Sequence, residues 1–243
     1  MNTTSLDKFF VIDIETVPQF SDYTMLSTDW QRRWLHKIAK TIPETTTPEE
    51  SYRQKAGILA EFGKIICISI GCFHNEKDGL PTFLVKSIFG EDEKEVLKKF
   101  LRAGNKFCEK KNGFWFAGHN IREFDIPYIC RRLLINGLKL PEYLCLHDKK
   151  PWQVEMLDTL HWWKFGDIKN YISLDLLAGV MNVPTSKTDI DGSMVQDVYY
   201  KDKDLKRIAD YCQRDVEVVA NLLLRFNNMP LLKSTHVRTV VVE

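Results

Sequence analysis

Two carboxylates that are two positions apart follow an apolar run near the start of the chain. Asp13 and Glu15 come at the end of a β-branched and aromatic segment of the kind that forms buried strands. Residues i and i+2 of a strand point to the same side, so both acids should share one face while Phe10, Ile12 and Ile14 occupy the other. A divalent cation would offset the repulsion and desolvation of two such carboxylates. The alternative is a strand that runs out into solvent with both acids hydrated.

A second acid stands where a short apolar strand gives way to a helix. Asp125 follows the loop residues Gly118-His119-Asn120 and should lie at or near the start of that helix, where the helix dipole favours a negative charge. This position is consistent with a metal or substrate site at the loop. It is equally the position of an ordinary N-terminal helix cap.

A third acidic position lies on the longest predicted helix, over residues 204–226. Tyr211 and Asp215 are four residues apart, which places them one turn apart on the same helix face. Asp215 interrupts an otherwise apolar stripe between Cys212 and Val219, and a buried acid needs a partner. That partner is either a cation or a neighbouring arginine in a structural salt bridge.

The totals describe an ordinary globular chain. Its 243 residues suit one domain, residues 1–243, and its net charge of +1 gives no global sign of a nucleic-acid partner. Six cysteines without C-x-x-C pairing indicate a reducing, cytoplasmic setting rather than a zinc or disulfide framework. The polar start lacks a signal peptide, and no apolar run approaches the ~20 residues that span a bilayer.

Hydrophobic periodicity predicts an α/β fold, with a mixed sheet flanked by helices and a helical insertion over residues 19–61 after the first strand. Asp29 should cap the first helix of that insertion, and Thr47-Pro48-Glu49-Glu50 forms a capping box for the second, which should run to about residue 61. Residues 227–243 form a tail, of which 237–242 either add an edge strand or stay loose. The other expected segments are strands at 65–73, 82–89 and 114–117, a turn at 75–79, helices at 91–110 and 125–136, a short apolar segment at 157–165 and a helix capped by Ser173.

Together the three acidic positions resemble the three motifs of DEDD-type 3′–5′ exonucleases. These are D-x-E after an apolar strand, N-x-x-x-F-D after another, and Y-x-x-x-D on a late helix, and the tyrosine indicates the DEDDy subgroup. The sequence around these motifs is most similar to the exonuclease domain of family B DNA polymerases. The segments that carry this similarity are F-x-x-D-I-E-T, N-I-R-E-F-D-I-P-Y and Y-I-S-L-D. The resemblance runs from about residue 9 to residue 226 and implies a free-standing relative with a ribonuclease H-like fold.

The resemblance also implies what each residue does. The implied ligands of two divalent cations, Mg²⁺ with Mn²⁺ as substitute, are Asp13, Glu15, Asp125 and Asp215. Tyr211 would hydrogen-bond the attacking water or a phosphate oxygen. Residues implied in substrate binding are Thr16, Asn120 and Phe124, although Asn120 could instead fix its loop and Phe124 could be ordinary core. His119 should be a loop histidine with a structural hydrogen bond.

The implied activity is hydrolysis of phosphodiester bonds at 3′ ends of single-stranded or frayed DNA, with no membrane partner. Two alternatives stay open, namely the same chemistry on RNA and a catalytically silent module that binds nucleic-acid ends. Stacking on Trp162 or Trp163 beside Lys164 and Lys169 is one means of holding a strand, although core packing of one tryptophan is the simpler interpretation. The role of the insertion, with Trp30, Trp34, Arg32, Arg33 and Lys37, is not decided by the sequence.

Overall fold

A computed structural model describes residues 5–43, 45–75, 81–150, 153–167, 169–185 and 189–240. Within them the chain forms one mixed sheet with the strand order β5-β4-β1-β2-β3-β6. The strands are β1 Phe9–Pro18, β2 Gly63–Asn75, β3 Pro81–Phe89, β4 Trp115–Gly118, β5 Met156–Asp158 and β6 Val237–Thr239. The predicted α/β class with a mixed sheet is confirmed.

Helices cover both faces of this sheet. They are α1 Thr28–Ile38, α2 Pro48–Lys55, α3 Glu93–Lys111, α4 Asp125–Ile135, α5 Thr159–Lys164, α6 Leu174–Val180, α7 Val195–Asp197 and α8 Leu205–Phe226. A π-helical turn, Val198–Asp202, continues α7. None of the described helices combines the length and apolarity that crossing a membrane requires.

Strand β1 lies at the centre of the sheet, antiparallel to β2 and parallel to β4. Its alternating side chains divide the core as predicted. Phe10, Ile12 and Ile14 belong to the apolar cluster on the side of α3 and α4, whereas Phe9 and Val11 pack in the cluster that contains α8. Because Asp13 and Glu15 continue the second series, both acids face α8.

The strand changes register beside the two acids. Glu15 pairs with Cys67 of β2, but a bulge between Glu15 and Thr16 makes Thr16 the partner of Ile65. Bulges bend a strand and re-aim its side chains, and they are frequent next to functional sites. Here the bulge separates the paired acids from the part of β1 that enters the helical segment.

The segment between β1 and β2 is helical, as expected, and has a small core of its own. Trp34 and Tyr52 are fully buried there, and the Trp34 indole donates a hydrogen bond to Ser51 Oγ over 3.0 Å. Trp34 is therefore a structural residue of this insertion. The predicted capping box is confirmed on its Thr47 side, because Thr47 Oγ1 accepts from the amide of Glu50 at 3.2 Å.

Two predicted boundaries in this segment are wrong. Ser27, not Asp29, is the N-cap residue of α1, and Asp29 instead pairs with the following arginines Arg32 and Arg33 in the first turns. Helix α2 ends at Lys55 and gives way to a 3₁₀ turn, Ala56–Ile58, rather than continuing to residue 61.

In the second half, the segment that was predicted only as short and apolar forms both β5 and α5. Three strand residues are too few to show an alternating pattern, which explains the incomplete prediction.

The tail supplies β6, which pairs parallel to β3, so an edge strand is the correct alternative. Ser173 caps α6 as predicted, accepting from the amide of Leu176 at 3.2 Å. Most of the predicted turn at 75–79 lies outside the described residues.

A buried ion pair ties α3 to α4. Glu93 and Arg132 are 8% and 3% exposed, and Arg132 Nη2 lies 2.5 Å from Glu93 Oε2. Glu93 also accepts from the amide of Ile65, at the start of β2, over 2.7 Å. The pair therefore fixes two helices and a central strand relative to one another.

Candidate active site

The acids of β1 meet the N-terminal half of α8. Asp13 Oδ2 accepts a hydrogen bond from the Cys212 thiol at 3.2 Å, and Cys212 Sγ also lies 3.4 Å from the carbonyl oxygen of Asp13. Three possible ligand atoms lie within 4.8 Å of one another: a carboxylate oxygen of Asp13, a carboxylate oxygen of Glu15 and the Cys212 sulfur. The two predicted carboxylates thus converge with a thiol that the sequence motifs do not indicate.

Asp125 joins this group from α4. It is 4% exposed, and its Oδ1 accepts from the backbone amide of Ile14 at 3.1 Å. Burial raises the pKa of Asp125 to about 7, although hydrogen bonds from its own amide and from Ile14 oppose that rise. Asp125 is therefore more than a helix cap, since it reaches strand β1 between Asp13 and Glu15.

The electrostatics of the site show that four carboxylates face one another. Burial raises the pKa of Asp13 well above its usual range, and the charges of Asp215, Asp125 and Glu15 raise it further. Burial likewise raises the pKa of Glu15, with Asp215 as the largest charge acting on it. Such a group is unfavourable when every member is ionised, so it needs protons or cations for compensation.

Tyr211 lies beside the same acids. Burial raises the pKa of its hydroxyl well above the usual range, and the charges of Asp215, Glu15 and Asp13 add to that effect. A hydrogen bond between Tyr211 and Asp215 acts in the same direction. Both effects favour the protonated hydroxyl, which can donate a hydrogen bond.

The loop before α4 is held by an acid that the sequence analysis did not identify as a site residue. Asp158 is buried at the end of β5, and its carboxylate accepts from the amides of Asn120 at 2.9 Å, Arg122 at 3.0 Å and Leu160 at 3.0 Å. A fourth amide, that of His161, is 3.4 Å away. Asp158 therefore fixes the backbone that leads to Asp125.

Asn120 occupies a strained position in this loop. Its φ is +61°, in the left-handed region that asparagine tolerates better than most residues. Its side-chain oxygen Oδ1 is buried and has no hydrogen-bond partner among the described residues. An unpaired buried acceptor costs about 1–3 kcal/mol, so a donor from a bound molecule would find a prepared partner here.

Three further residues named from the sequence, His119, Phe124 and Thr16, lie near the site and are half-buried. His119 makes the expected structural hydrogen bonds, with Nδ1 2.9 Å from Thr159 Oγ1 and Nε2 3.0 Å from the carbonyl oxygen of Ile172. Phe124 is half-buried and packs on Tyr128, with 5.4 Å between ring centroids. Thr16 is half-buried directly after Glu15.

The tryptophan pair is better explained by packing than by stacking on a nucleic acid. Trp162 lies 5.6 Å from Phe226 between ring centroids, and Trp163 packs against the cluster around α6 and α8. Lys164 points to Glu123, with 4.0 Å between Nζ and Oε1. The exposed aromatic side chain of this segment is that of Phe165, which is 92% exposed.

Two residues of the site were missed, and each left a different signal. Cys212 belongs to the apolar stripe of the helix that carries Tyr211 and Asp215, which indicates that it is buried but does not indicate its contact with Asp13. Asp158 follows the apolar residues Met156 and Leu157 as Asp13 follows the apolar run at the start of β1. That similarity becomes informative only once β5 is known to lie two strands from β1.

The donor set suits hard divalent cations. Carboxylate oxygens are the ligands that Mg²⁺ and Mn²⁺ prefer, and four carboxylates here face one another with raised pKa values for Asp13, Glu15 and Asp125. The Cys212 thiol adds a softer atom. Burial raises the pKa of Cys212 well above its usual range, so the thiol remains protonated and donates to Asp13.

Comparison with protein families gives one match. Residues 58–234 match the family described as "Predicted 3'-5' exonuclease related to the exonuclease domain of PolB". This range includes Asp125, Tyr211 and Asp215, and it begins after Asp13 and Glu15. Among curated proteins, no match was found.

A solved structure shares the fold. It is the family B DNA polymerase from the hyperthermophilic archaeon Pyrobaculum calidifontis, with a TM-score of 0.54 and 13% sequence identity. The similarity covers 90% of this chain but 24% of the polymerase chain. The present chain therefore corresponds to about a quarter of that protein, and the likeness concerns the fold alone.

Proposed function

Because this chain belongs to the family of predicted 3′–5′ exonucleases related to the exonuclease domain of PolB, we propose that it is a metal-dependent 3′–5′ exonuclease of DNA. Its substrate is the 3′ end of a single strand or of a frayed duplex. One observation carries the proposal: carboxylate oxygens of Asp13 and Glu15 lie within 4.8 Å of each other beside Cys212 of α8, and Asp125 of α4 accepts from the amide of Ile14 between them. Carboxylates in this arrangement repel one another when they are ionised, and divalent cations would offset that repulsion.

The proposed ligands of two divalent cations are Asp13, Glu15, Asp125 and Asp215. Mg²⁺ is the expected ion and Mn²⁺ its substitute, because both favour oxygen ligands. When bound, such ions stabilise the charge that develops on a phosphodiester and lower the pKa of an attacking water.

The protein's own groups position the reacting atoms. Tyr211 keeps its proton and donates to the attacking water or to a phosphate oxygen. Cys212 holds the Asp13 carboxylate by its 3.2 Å hydrogen bond. Asp158 fixes the loop that presents Asn120, whose free side-chain oxygen can accept from the terminal nucleotide.

DNA is favoured over RNA because the family is described by its relation to a DNA polymerase domain. The same chemistry on RNA is the second candidate. A silent end-binding module is disfavoured, since the site retains all four acids together with Tyr211.

The deciding experiment uses single-stranded DNA and RNA oligonucleotides labelled at the 5′ end. Each is incubated with the protein in Mg²⁺, Mn²⁺ or EDTA and resolved on a sequencing gel. We expect ladders that shorten from the 3′ end with Mg²⁺ or Mn²⁺ and disappear with EDTA, with DNA degraded faster than RNA. Faster degradation of RNA would reverse the substrate assignment.

The control is a matched pair of variants on α8. Asp215→Asn should remove at least 99% of the activity, since loss of a group that acts on the transition state costs about 10²-fold or more. Asp210→Asn, which changes an acid paired with Lys206 away from the site, should retain wild-type activity. Equal turnover by both variants would refute the site, and oligonucleotide binding without any cleavage would indicate the silent module.

A further inference from the structure

A cleft lined mainly by polar residues lies at the C-terminal end of β1. Its volume is about 420 Å³, within the roughly 300–1,000 Å³ of small-molecule sites. Thr16, the residue after Glu15, and Pro18 form part of its wall. The bulge in β1 lies between Glu15 and Thr16, and so between the acids of this strand and its residues that line the cleft.

One bank of the cleft comes from the helical insertion. Glu50, Arg53 and Gln54 of α2 line it, followed by the 3₁₀ residues Gly57 and Ile58. The carbonyl oxygen of Gly57 accepts from the hydroxyl of Tyr128 on α4 at 2.8 Å, which fixes this bank to the body of the protein. The insertion thus contributes directly to a cavity that also includes Thr16, the residue after Glu15.

The opposite bank is the segment that contains α7. Gly192, Ser193, Gln196 and Asp197 line the cleft on this side. Val195, their neighbour, is buried in the same apolar cluster as Tyr211 and Cys212. This bank is consequently packed against the part of α8 that carries the third motif.

Two contacts link the sides of the cleft, and one of them is an exposed ion pair. Arg53 Nη2 lies 3.2 Å from Asp197 Oδ2, which links α2 to α7. The Tyr200 hydroxyl donates to the carbonyl oxygen of Pro18 at 2.6 Å and joins the second bank to the wall. A cavity that is organised before binding loses less entropy when a ligand enters.

The lining suits a neutral, flat group rather than a phosphate. Glu50 and Asp197 outnumber Arg53, so the charged residues are net negative. Gln54 and Gln196 bring amides from opposite banks. Gln54 Nε2 donates to Glu50 Oε1 at 3.1 Å, which leaves its oxygen to accept from a base edge, whereas the Gln196 amide can both donate and accept. Gln196 makes no side-chain hydrogen bond within the described residues.

Apolar surface for a base is also present. Ile58 is 52% exposed although it is aliphatic, and it lines the cleft together with the buried Pro18. Exposed aliphatic side chains at a polar cavity provide a face for a planar group. The combination of two amides, an aliphatic face and a net negative lining matches a nucleobase with its sugar.

We infer that this cleft receives the 3′-terminal nucleoside and that the helical insertion recognises its base. The inference rests on the proposed exonuclease function. The phosphate of the terminal nucleotide would remain at the carboxylates, and the base would lie between Gln54 and Gln196. The insertion is in this view a recognition element of the exonuclease.

Binding is measured first, without hydrolysis, in EDTA. A single-stranded DNA that ends in 2-aminopurine changes its fluorescence when that base leaves the stack and enters a protein site. Wild-type protein should alter the signal, and Gln196→Ala and Ile58→Ala should weaken this binding by about 3–10-fold. Gln153→Ala, an amide deletion beside the start of β5 and outside the cleft lining, should bind as wild type.

Cleavage gives the second measurement. With Mg²⁺, kcat/KM is compared for DNA with a normal 3′-terminal base and for DNA with a 3′-terminal abasic nucleotide. Wild type should favour the base by about 10-fold, and the preference should fall toward one in Gln196→Ala and in Gln54→Ala. A preference that is unchanged in both variants, or that is absent in wild type, would overturn the inference.

The two proposals fail in different ways. If wild-type protein degrades DNA but the cleft variants bind the 2-aminopurine DNA as tightly as wild type, the cleft assignment is wrong and the exonuclease function is retained. If no metal produces cleavage and the cleft variants still weaken fluorescence binding, the exonuclease function is wrong while the cleft remains a nucleoside site.

Discussion

Asp125 accepts a hydrogen bond from the backbone amide of Ile14, the residue between Asp13 and Glu15, at 3.1 Å. This contact joins residues that are 111 positions apart and brings the second motif to the first. It also buries a carboxylate, since Asp125 is 4% exposed. The consequence is an acid whose ionisation opposes folding when no cation is present.

We therefore expect Asp125→Asn to stabilise the metal-free protein while abolishing nuclease activity. The asparagine oxygen can still accept from Ile14, and the variant avoids ionisation of a buried carboxyl. At pH 8 in EDTA, the free energy of unfolding from urea titration should rise by about 1–3 kcal/mol, given ~1.4 kcal/mol per pKa unit.

The pH dependence gives the sign of this effect. The carboxyl ionises near 3.8 in the unfolded chain, but its pKa is about 7 in the folded protein. Between these pH values the folded state binds more protons than the unfolded state. The contribution of Asp125 to the free energy of unfolding is therefore greatest below pH 4 and declines as pH rises toward 7. The gain of Asp125→Asn should accordingly vanish near pH 4; a gain that persists there would contradict the explanation.

Tyr211→Phe should slow catalysis without weakening DNA binding. Phenylalanine keeps the ring that packs near Val17 and Ile66 but removes the hydroxyl that would donate to the reacting groups. We expect kcat to fall by about 10–100-fold, with the dissociation constant for DNA, measured in EDTA by fluorescence anisotropy, changed by less than about 3-fold.

The pH profile tests the protonation state of Tyr211. Burial and the neighbouring carboxylates raise the pKa of Tyr211 well above its usual range, so its ionisation should not appear in kcat/KM up to pH 10. An alkaline limb near pH 9–10 that is present in wild type and lost in Tyr211→Phe would show that the hydroxyl titrates, contrary to this assignment.

Breaking the buried ion pair of Glu93 and Arg132 should destabilise the fold. Glu93→Gln leaves the charge of Arg132 without its 2.5 Å partner in a buried position, and breaking such a pair costs about 3–5 kcal/mol. Urea denaturation should show a loss of that size. Glu95→Gln breaks an exposed pair with Lys98 on the same helix and should cost less than about 1 kcal/mol; equal losses would contradict the importance of burial.

The sequence predicts those parts of this protein that depend on local spacing. The faces of β1 follow from a period of two, and the shared face of Tyr211 and Asp215 follows from a separation of four. Capping by Thr47 and Ser173 was also correct, because an N-cap is a contact between residues close in sequence.

The features that were missed depend on contacts between distant segments. Asp158 acts on the loop before α4 because β5 pairs with β4, and no pattern around Asp158 specifies that neighbour. The hydrogen bond from Cys212 to Asp13 spans 199 positions. The cleft likewise requires α2 and α7 to face each other, which residue spacing in either segment alone does not indicate.

Asp158→Asn should therefore damage the site through its loop. An asparagine retains one acceptor oxygen, but its NH₂ group would face one of the amides of Asn120 and Arg122, which now lie 2.9 and 3.0 Å from the carboxylate. Two donors then oppose each other, so the loop should move and Asp125 with it. We expect kcat to fall by about 10-fold or more, since small misplacements of reacting groups are costly.

Hydrogen exchange separates this positioning role from a general loss of stability. In Asp158→Asn the amides of residues 119–124 should exchange faster, whereas those of β1 and α8 should keep wild-type protection. Asp167→Asn, which changes the exposed acid that accepts from the amide of Lys169, should leave both exchange and kcat unchanged. Faster exchange throughout the sheet in Asp158→Asn would mean that Asp158 supports the fold as a whole, and unchanged exchange with reduced kcat would mean that it acts on the reaction by another route.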